Sequence, residues 1–160
     1  MHVRLAITAA DRDRCLALRR AVFIEEQSVP EDLELDDHDD DAIHILVTDG
    51  DDDDNVDAPA GPAMGTARMR IVTGDGYGDG ETAKAQRVAV ARDWRGQGVG
   101  RVVMDFLHDQ ARKRGCRRVR LSSQVSAIPF YERLGYVAEG PVYDDAGIPH
   151  RDMALVLREM

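Results

Sequence analysis

A chain of 160 residues, 43% hydrophobic, can bury one substantial core without disulfides or a metal, and residues 1–160 are read as a single domain. Its formal charge of −9 argues against nucleic acid as a main partner, because binding to a phosphate backbone draws on many Lys and Arg contacts. Apolar runs are only a few residues long and the first residues already alternate as a strand, so neither a membrane span nor a signal peptide is expected, and a cytoplasmic protein follows.

Residues 3–7 form the first strand pattern, and Asp11 is placed as the N-cap of a helix whose Cys15, Leu18 and Val22 share one face. Residues 28–41 carry Pro30, many acids and scattered leucines, and read as loop with a short helical turn. Residues 42–48 are an apolar strand, and residues 49–62 a solvated acidic turn. A calcium loop there would need Gly and Glu at its sixth and twelfth places, where Val56 and Pro62 stand. Residues 63–72 are a long strand, and the alternating glycines from Gly74 to Gly80 make a hairpin tip in a loop reaching residue 85.

Residues 86–91 then form a strand that feeds a helix opened at Gly98. Val99, Val103, Phe106 and Leu107 mark the buried stripe of that helix, and Gly115 its C-terminus. A strand at 119–123, a short helix at 127–134 and strands at 136–139 and 153–157 complete the order. Its simplest packing is an α/β mixed sheet with helices on both faces. Cys15 and Cys116 read as reduced core residues, and the spacing of His38 and His44 matches no zinc signature, so no metal is expected. Of 21 basic residues only Lys84 and Lys113 are lysine, and acids cluster at 31–41 and 51–57, a balance that suits high salt and predicts a salt-loving source.

The most informative stretch is Arg87-Val-Ala-Val-Ala-Arg-Asp-Trp-Arg-Gly-Gln-Gly-Val-Gly-Arg101, a short apolar strand followed by three alternate glycines at a helix start. If Gly96, Gly98 and Gly100 all lay in helical turns they would weaken the helix by about 2–3 kcal/mol. A ligand approaching the unpaired amides of the first turn is one reason to tolerate that, with a phosphate or pyrophosphate as the natural guest; a glycine-rich connection that merely turns the chain is the other. A dinucleotide fingerprint would need glycine where Arg101 stands, and the Gly-Lys-Ser/Thr of a Walker loop does not occur.

Arg95-Gly-Gln-Gly-Val-Gly100, followed about thirty residues on by Phe130-Tyr-Glu-Arg-Leu-Gly-Tyr136, resembles the GNAT superfamily of acetyl-CoA-dependent N-acetyltransferases. Val22-Phe-Ile-Glu-Glu-Gln-Ser-Val-Pro30 and Tyr143-Asp-Asp-Ala-Gly-Ile-Pro-His150 with Met153 are similar to its ElaA-like branch. Many members carry Asn three residues before the alanine of the Asn-x-x-Ala-x-x-Phe-Tyr pattern. This chain has Gln124 before Ala127, as the ElaA-like branch also does. The resemblance implies a GNAT-like fold, with a central, mostly antiparallel, twisted sheet of six to seven strands.

It further implies acetyl-CoA lying beside Val88, Ala89 and Val90, whose backbone pairs with the pantetheine arm. The amides of Gln97, Gly98, Val99, Gly100 and Arg101, after Gly96, would hold the pyrophosphate, with charge from Arg95 and Arg101 and a cofactor contact from Gln124. Acetyl transfer needs a neutral amine, a donor aimed at the thioester oxygen and a proton for the departing thiolate. A strand N–H near Val90 is the donor the family implies, and Tyr131 the acid. The base is open between Glu26, in the branch-typical Glu-Gln pair, and His150, since imidazole is the side chain that changes charge near neutrality. The acids at 31–41 would steer a cationic amine if they lie on the acceptor side; general surface acidity explains them equally.

The reading is therefore an N-acetyltransferase acting by direct attack on a primary amine of a small molecule or peptide, as a monomer or homodimer. A non-catalytic acyl-CoA-binding sensor is the alternative.

Overall fold

A computed structural model describes residues 1–49, 61–72 and 81–158, so the acidic turn from Gly50 to Ala60 and the glycine loop from Thr73 to Gly80 lie outside the described residues. The strands are β1 (His2–Leu5), β2 (Ile43–Thr48), β3 (Ala63–Val72), β4 (Glu81–Val90), β5 (Cys116–Gln124), β6 (Val137–Asp145) and β7 (Ile148–Val156). The α-helices are α1 (Ala9–Arg19), α2 (Glu31–Glu34), α3 (Val99–Lys113) and α4 (Ile128–Arg133). Among the described residues the strands form one sheet in the order β1-β2-β3-β4-β5-β7-β6. β4 and β5 run parallel, and β1–β2, β5–β7 and β6–β7 are antiparallel.

The chain divides into two compact units, one of Met1–Arg68 with Arg87–Phe106, the other of Met69–Gln86 with Leu107–Met160. In the first, Thr8 and not Asp11 caps α1: the Thr8 hydroxyl accepts the Asp11 amide at 3.1 Å. Asp11 sits in the first turn, where its carboxylate meets Arg4 at 2.8 Å and Arg14 at 2.7 Å. A hydroxyl three residues earlier reaches the free amide first, which leaves the carboxylate for ion pairs and the helix dipole. The helix then runs on through a π-helical segment, Arg20–Glu26, that carries Val22 and ends at Glu26.

Cys15 and Leu18 bury against Leu46, Ala6 and Ala89. The Cys15 sulfur and the Thr66 hydroxyl both meet the Ile45 carbonyl, at 3.7 and 2.8 Å. A Cβ at Gly65, the neighbour of Thr66, would lie 2.7 Å from Val99 and 2.9 Å from Val103 of α3. Successive strand residues face opposite sides, so α1 and the start of α3 cover the two faces of β3. Gly65→Ala should therefore lower the unfolding free energy by about 1–3 kcal/mol through overpacking at that crossing. A urea titration reads this, and an unchanged midpoint would mean that α3 shifts without cost.

In the second unit β4 begins at Glu81, five residues earlier than the sequence pattern places it, and pairs with β5 in the register Thr82↔Arg118 to Ala85↔Leu121. Ala83 and Ala85 are small and buried, so the alternation that marks a half-exposed strand is muted. β6 and β7 form a hairpin with Asp145 opposite Ile148, much longer than residues 136–139 and 153–157. Gly140, Pro141 and the acids of this stretch read locally as loop, and only cross-strand pairing makes it a sheet. Val119, Leu121 and Met153 are buried on one face. Arg120, Ser122 and Gln124 alternate to the other, opposite Ala154, Asp152 and His150.

Candidate active site

The first unit holds the end of β4 and the glycine turn. Arg87 adopts φ +54°, a left-handed conformation that costs a non-glycine residue about 1–2 kcal/mol. Its guanidinium holds that geometry by donating to the carbonyls of Glu34 at 3.1 Å and Leu33 at 3.0 Å, and to the Asp36 carboxylate at 3.2 Å. Four residues on, the Ala91 amide donates to the Met64 carbonyl of β3 at 2.8 Å. Backbone amides alternate in direction along a strand, so the Val90 N–H points away from β3.

After a 3₁₀ turn at Arg92–Trp94 the chain passes Gly96 at φ +77° and Gly98 at φ +84°. Only Gly100 of the three glycines lies within α3. The expected helix penalty therefore applies to Gly100 alone, while Gly96 and Gly98 occupy backbone conformations that favour glycine. No heavy atom lies within 4 Å of a Cβ built on either. The first helical bond runs from the Val102 amide to the Gly98 carbonyl at 3.2 Å. The amides of Val99, Gly100 and Arg101 thus precede any intrahelical acceptor and sit at the positive end of the helix dipole.

The charged side chains around this turn are engaged. Arg95 donates to the Val90 carbonyl at 3.1 Å and to Glu26 Oε2 at 2.5 Å, and Arg92 lies 3.9 Å from the same carboxylate. Arg101 faces Asp105 at 3.7 Å, a helical i,i+4 pair with both partners mostly exposed, and Gln97 donates to the Asp93 carbonyl at 3.2 Å. Glu26 is thus the ion-pair partner of Arg95, brought beside the strand end by the π-helical segment.

The acids at 31–41 are not simply a solvated surface. Glu34 is buried against Arg19, with Nε to Oε1 at 3.0 Å, and Asp39 meets Arg19 at 2.7 Å and Arg68 at 3.0 Å. Asp36 meets Arg68 at 2.6 Å. Burial pushes the Asp36 carboxyl up, but the hydrogen bond and charge of Arg68, with the His38 amide and Arg87, bring it down to about 2. Three of the eight carboxylates of the stretch are matched by three arginines, so these three add little steering charge. The sequence places Arg19, Arg68 and Arg87 on three elements and offers no sign that they converge.

The second unit holds the remaining candidates. Tyr131 in α4 is buried, edge-on to Phe130 at 4.9 Å and to Tyr136 at 5.6 Å between ring centres. Burial raises its pKa well above that of a free phenol, so the hydroxyl keeps its proton. Behind it the buried Tyr136 hydroxyl lies 2.7 Å from His108 Nε2, a pair hidden in sequence because His108 falls in an ordinary helical pattern. Gln124 ends β5, directly opposite His150 of β7, which is itself opposite Tyr143 of β6. His150 Nδ1 donates to the Ile148 carbonyl at 2.7 Å, and its ring stacks on Tyr143 at 6.2 Å and 23°. Tyr143 donates to Asp152 Oδ1 at 2.6 Å and is also bonded to Ser122.

This order of strands and helices, with a glycine turn opening α3 and a Phe-Tyr pair on α4, agrees with three comparisons. The family model described as an acetyltransferase (GNAT) domain matches residues 67–157. The uncharacterised N-acetyltransferase YjcF of Bacillus subtilis is 36% identical over 137 residues, 85% of this chain and 86% of its own length. Protein ElaA of Escherichia coli is 34% identical over 141 residues, 87% of this chain and 83% of that one. The ElaA crystal structure superposes with a TM-score of 0.75, covering 96% of this chain and 99% of its own at 24% identity in the structural alignment. A crystal structure from Lactobacillus plantarum, assigned as an N-acetyltransferase, gives 0.82 at 26% identity over 98% of both chains. Among the described residues no helix is long and apolar enough to cross a membrane. A GNAT domain takes acetyl-CoA as its co-substrate, and this chain is an acyltransferase that belongs to the GNAT family, in its ElaA-like branch.

Proposed function

We propose that this acyltransferase moves the acetyl group of acetyl-CoA directly onto a primary amine within a ternary complex. The observation that carries the reading is the turn at Gly96–Gly98, whose positive-φ glycines leave the amides from Val99 to Arg101 uncapped and open at the end of β4. Those amides, with Gly98 and Gln97 before them, bind the pyrophosphate. Arg95 and Arg101 turn from Glu26 and Asp105 to the phosphates, which offer more charge than the exposed ion pairs they replace. The backbone of Val88 to Val90 holds the pantetheine arm, with the Val90 N–H toward the thioester oxygen, and Gln124 adds a contact.

Tyr131 protects the departing sulfur by donating a hydrogen bond as negative charge builds there. Its raised pKa requires that the proton it gives up be replaced at once, and the acceptor nitrogen supplies that proton. Glu26 and His150 are the two candidate bases.

Binding tests the pyrophosphate site. Gly98→Val should weaken coenzyme A binding at least about tenfold by closing off the amides. Gly115→Val, at φ +80° beyond the far end of α3 and with open space around it, carries similar backbone strain and should leave affinity unchanged. Calorimetry reads both, and equal affinity in the Gly98 variant would reduce the glycines to a turn. Turnover is tested by thiol release with a polyamine, an amino sugar, an aminoacyl compound and an N-terminal peptide, in low and molar salt. Tight coenzyme A binding without release across that panel would overturn catalysis in favour of an acyl-CoA sensor.

A further inference from the structure

We propose that Tyr143, fixed by Ser122 and Asp152, positions His150 as the group that takes the proton from the incoming amine. The inference rests on the acetyl-transfer reading above and chooses between its two bases. Four observations carry it, three within the second unit and one within the first.

The first is the state of the imidazole. A carbonyl can only accept, so the 2.7 Å contact with Ile148 places the His150 proton on Nδ1 and leaves the Nε2 lone pair as the acceptor. That is the tautomer a base requires. The second is the phenol. Tyr143 has one proton and directs it to Asp152 Oδ1 at 2.6 Å, so the bond between Ser122 and Tyr143 has the serine hydroxyl as donor. Burial, followed by the Asp152 carboxylate, raises the Tyr143 pKa, which keeps this direction fixed at neutral pH.

The third is placement. Tyr143 and His150 are direct cross-strand partners and their rings lie nearly parallel, so the phenol ring sets the plane of the imidazole. Asp152 is two residues from His150 on the same face of β7, roughly 7 Å along the strand. The fourth is the condition of the rival. Glu26 pairs with Arg95 at 2.5 Å and has Arg92 3.9 Å away, and when Arg95 turns to the phosphates Arg92 still stands beside the carboxylate. His150 is only partly buried and carries no ion pair of that kind among the described residues.

The charged and titratable groups sharing the His150 face are Asp152 on β7, Arg118 and Arg120 on β5, Lys84 on β4, and Glu139, Tyr143 and Asp145 on β6. Arg120 lies 4.0 Å from Asp152, so the carboxylate is partly balanced. In the reaction the amine nitrogen bonds to the thioester carbonyl carbon as the carbon–sulfur bond breaks. An alkylammonium loses two protons on becoming an amide: His150 Nε2 takes the first and releases it to solvent, and the second ends on the sulfur by way of Tyr131.

The test is the acidic limb of kcat/KM, measured with spermidine and with glucosamine as probes, alongside an NMR titration of the His150 ring. His150→Gln should remove the limb, while Glu26→Gln should keep it. Asp152→Asn removes a negative charge that favours imidazolium, so both the limb and the ring titration should move down by about half a pH unit. Tyr143→Phe removes the phenol that partly neutralises Asp152, so both should move up by a similar amount, with kcat reduced and KM little changed. Opposite shifts from two neighbouring substitutions are not the result of a merely structural role.

A limb that persists in His150→Gln, or one that disappears in Glu26→Gln, would overturn the assignment. Ring titrations that coincide in wild type, Asp152→Asn and Tyr143→Phe would overturn the positioning role, with or without turnover. Absence of thiol release from the wild type would strike instead at the acetyl-transfer reading, and the ring titrations would still decide whether Asp152 and Tyr143 govern His150.

Discussion

Glu34→Ala is expected to lower the unfolding free energy by about 3–5 kcal/mol, because it strips a fully buried arginine of its fully buried carboxylate partner. The Arg19 and Glu34 side chains are 0% and 1% exposed, so water cannot replace the lost partner. Arg87 loses the same carboxylate, 3.2 Å from its Nε, and with it part of the hold on its left-handed backbone. Urea unfolding at pH 7 measures the effect. The double replacement Arg19→Met with Glu34→Leu should cost much less, since two apolar groups of similar size leave no unpaired charge. A loss under about 1 kcal/mol in the single variant would show that the network opens to solvent.

The same network predicts sensitivity to acid. The Asp36 carboxyl is held at about 2, and Asp39 is lowered as well, since the Arg19 and Arg68 bonds outweigh burial. A carboxylate whose folded pKa lies below its unfolded value of about 3.9 contributes stability that is complete above that value and is lost as pH falls toward the folded one. Stability should therefore fall steeply between about pH 4 and 2. His44 adds to this from higher pH. Burial lowers its pKa although its Nε2 is bonded to the Asp39 carbonyl at 2.8 Å, so the unfolded chain takes up that proton first as pH falls below about 6.5.

Tyr131→Phe is expected to reduce kcat about 100-fold while leaving the acetyl-CoA dissociation constant within about twofold. The ring remains to pack against Phe130 and Tyr136, so the variant loses the hydroxyl and little else. Burial raises the phenol, so its ionisation should cause no loss of activity up to about pH 10. Initial rates of thiol release, with calorimetry for the cofactor, separate the two quantities. Unchanged kcat would remove Tyr131 from the acid role. A parallel loss of affinity and rate would make it a cofactor-binding residue.

Features set by neighbours in the chain were legible in the sequence. The strand at 63–72, the helix beginning after Gly98 and its end at Gly115, with φ +80°, follow from local periodicity and from glycine's tolerance of positive φ. The pairing of a glycine turn with a Phe-Tyr helix was enough to give the family. Locally ambiguous features were misplaced. Thr8 took the cap assigned to Asp11, β4 extended back over Glu81 to Ala85, and the β6–β7 hairpin grew through a stretch rich in Gly, Pro and Asp.

What the amino-acid sequence determined by itself was the backbone repertoire: where the chain turns, which helix faces are apolar, and where amides are left uncapped. These depend on the residue and a few neighbours. Tertiary structure alone decided which charges are buried together and which proton each polar group holds. Arg19, Glu34, Asp36, Asp39, Arg68 and Arg87 meet only when α1, the stretch from Glu34 to Asp39, β3 and β4 assemble. Ser122, Tyr143, His150 and Asp152 meet only through the register of three strands. Desolvation and hydrogen-bond direction arise from that assembly, so the matched acids Glu34, Asp36 and Asp39 and the orientation of His150 are properties of the fold and cannot be read from composition.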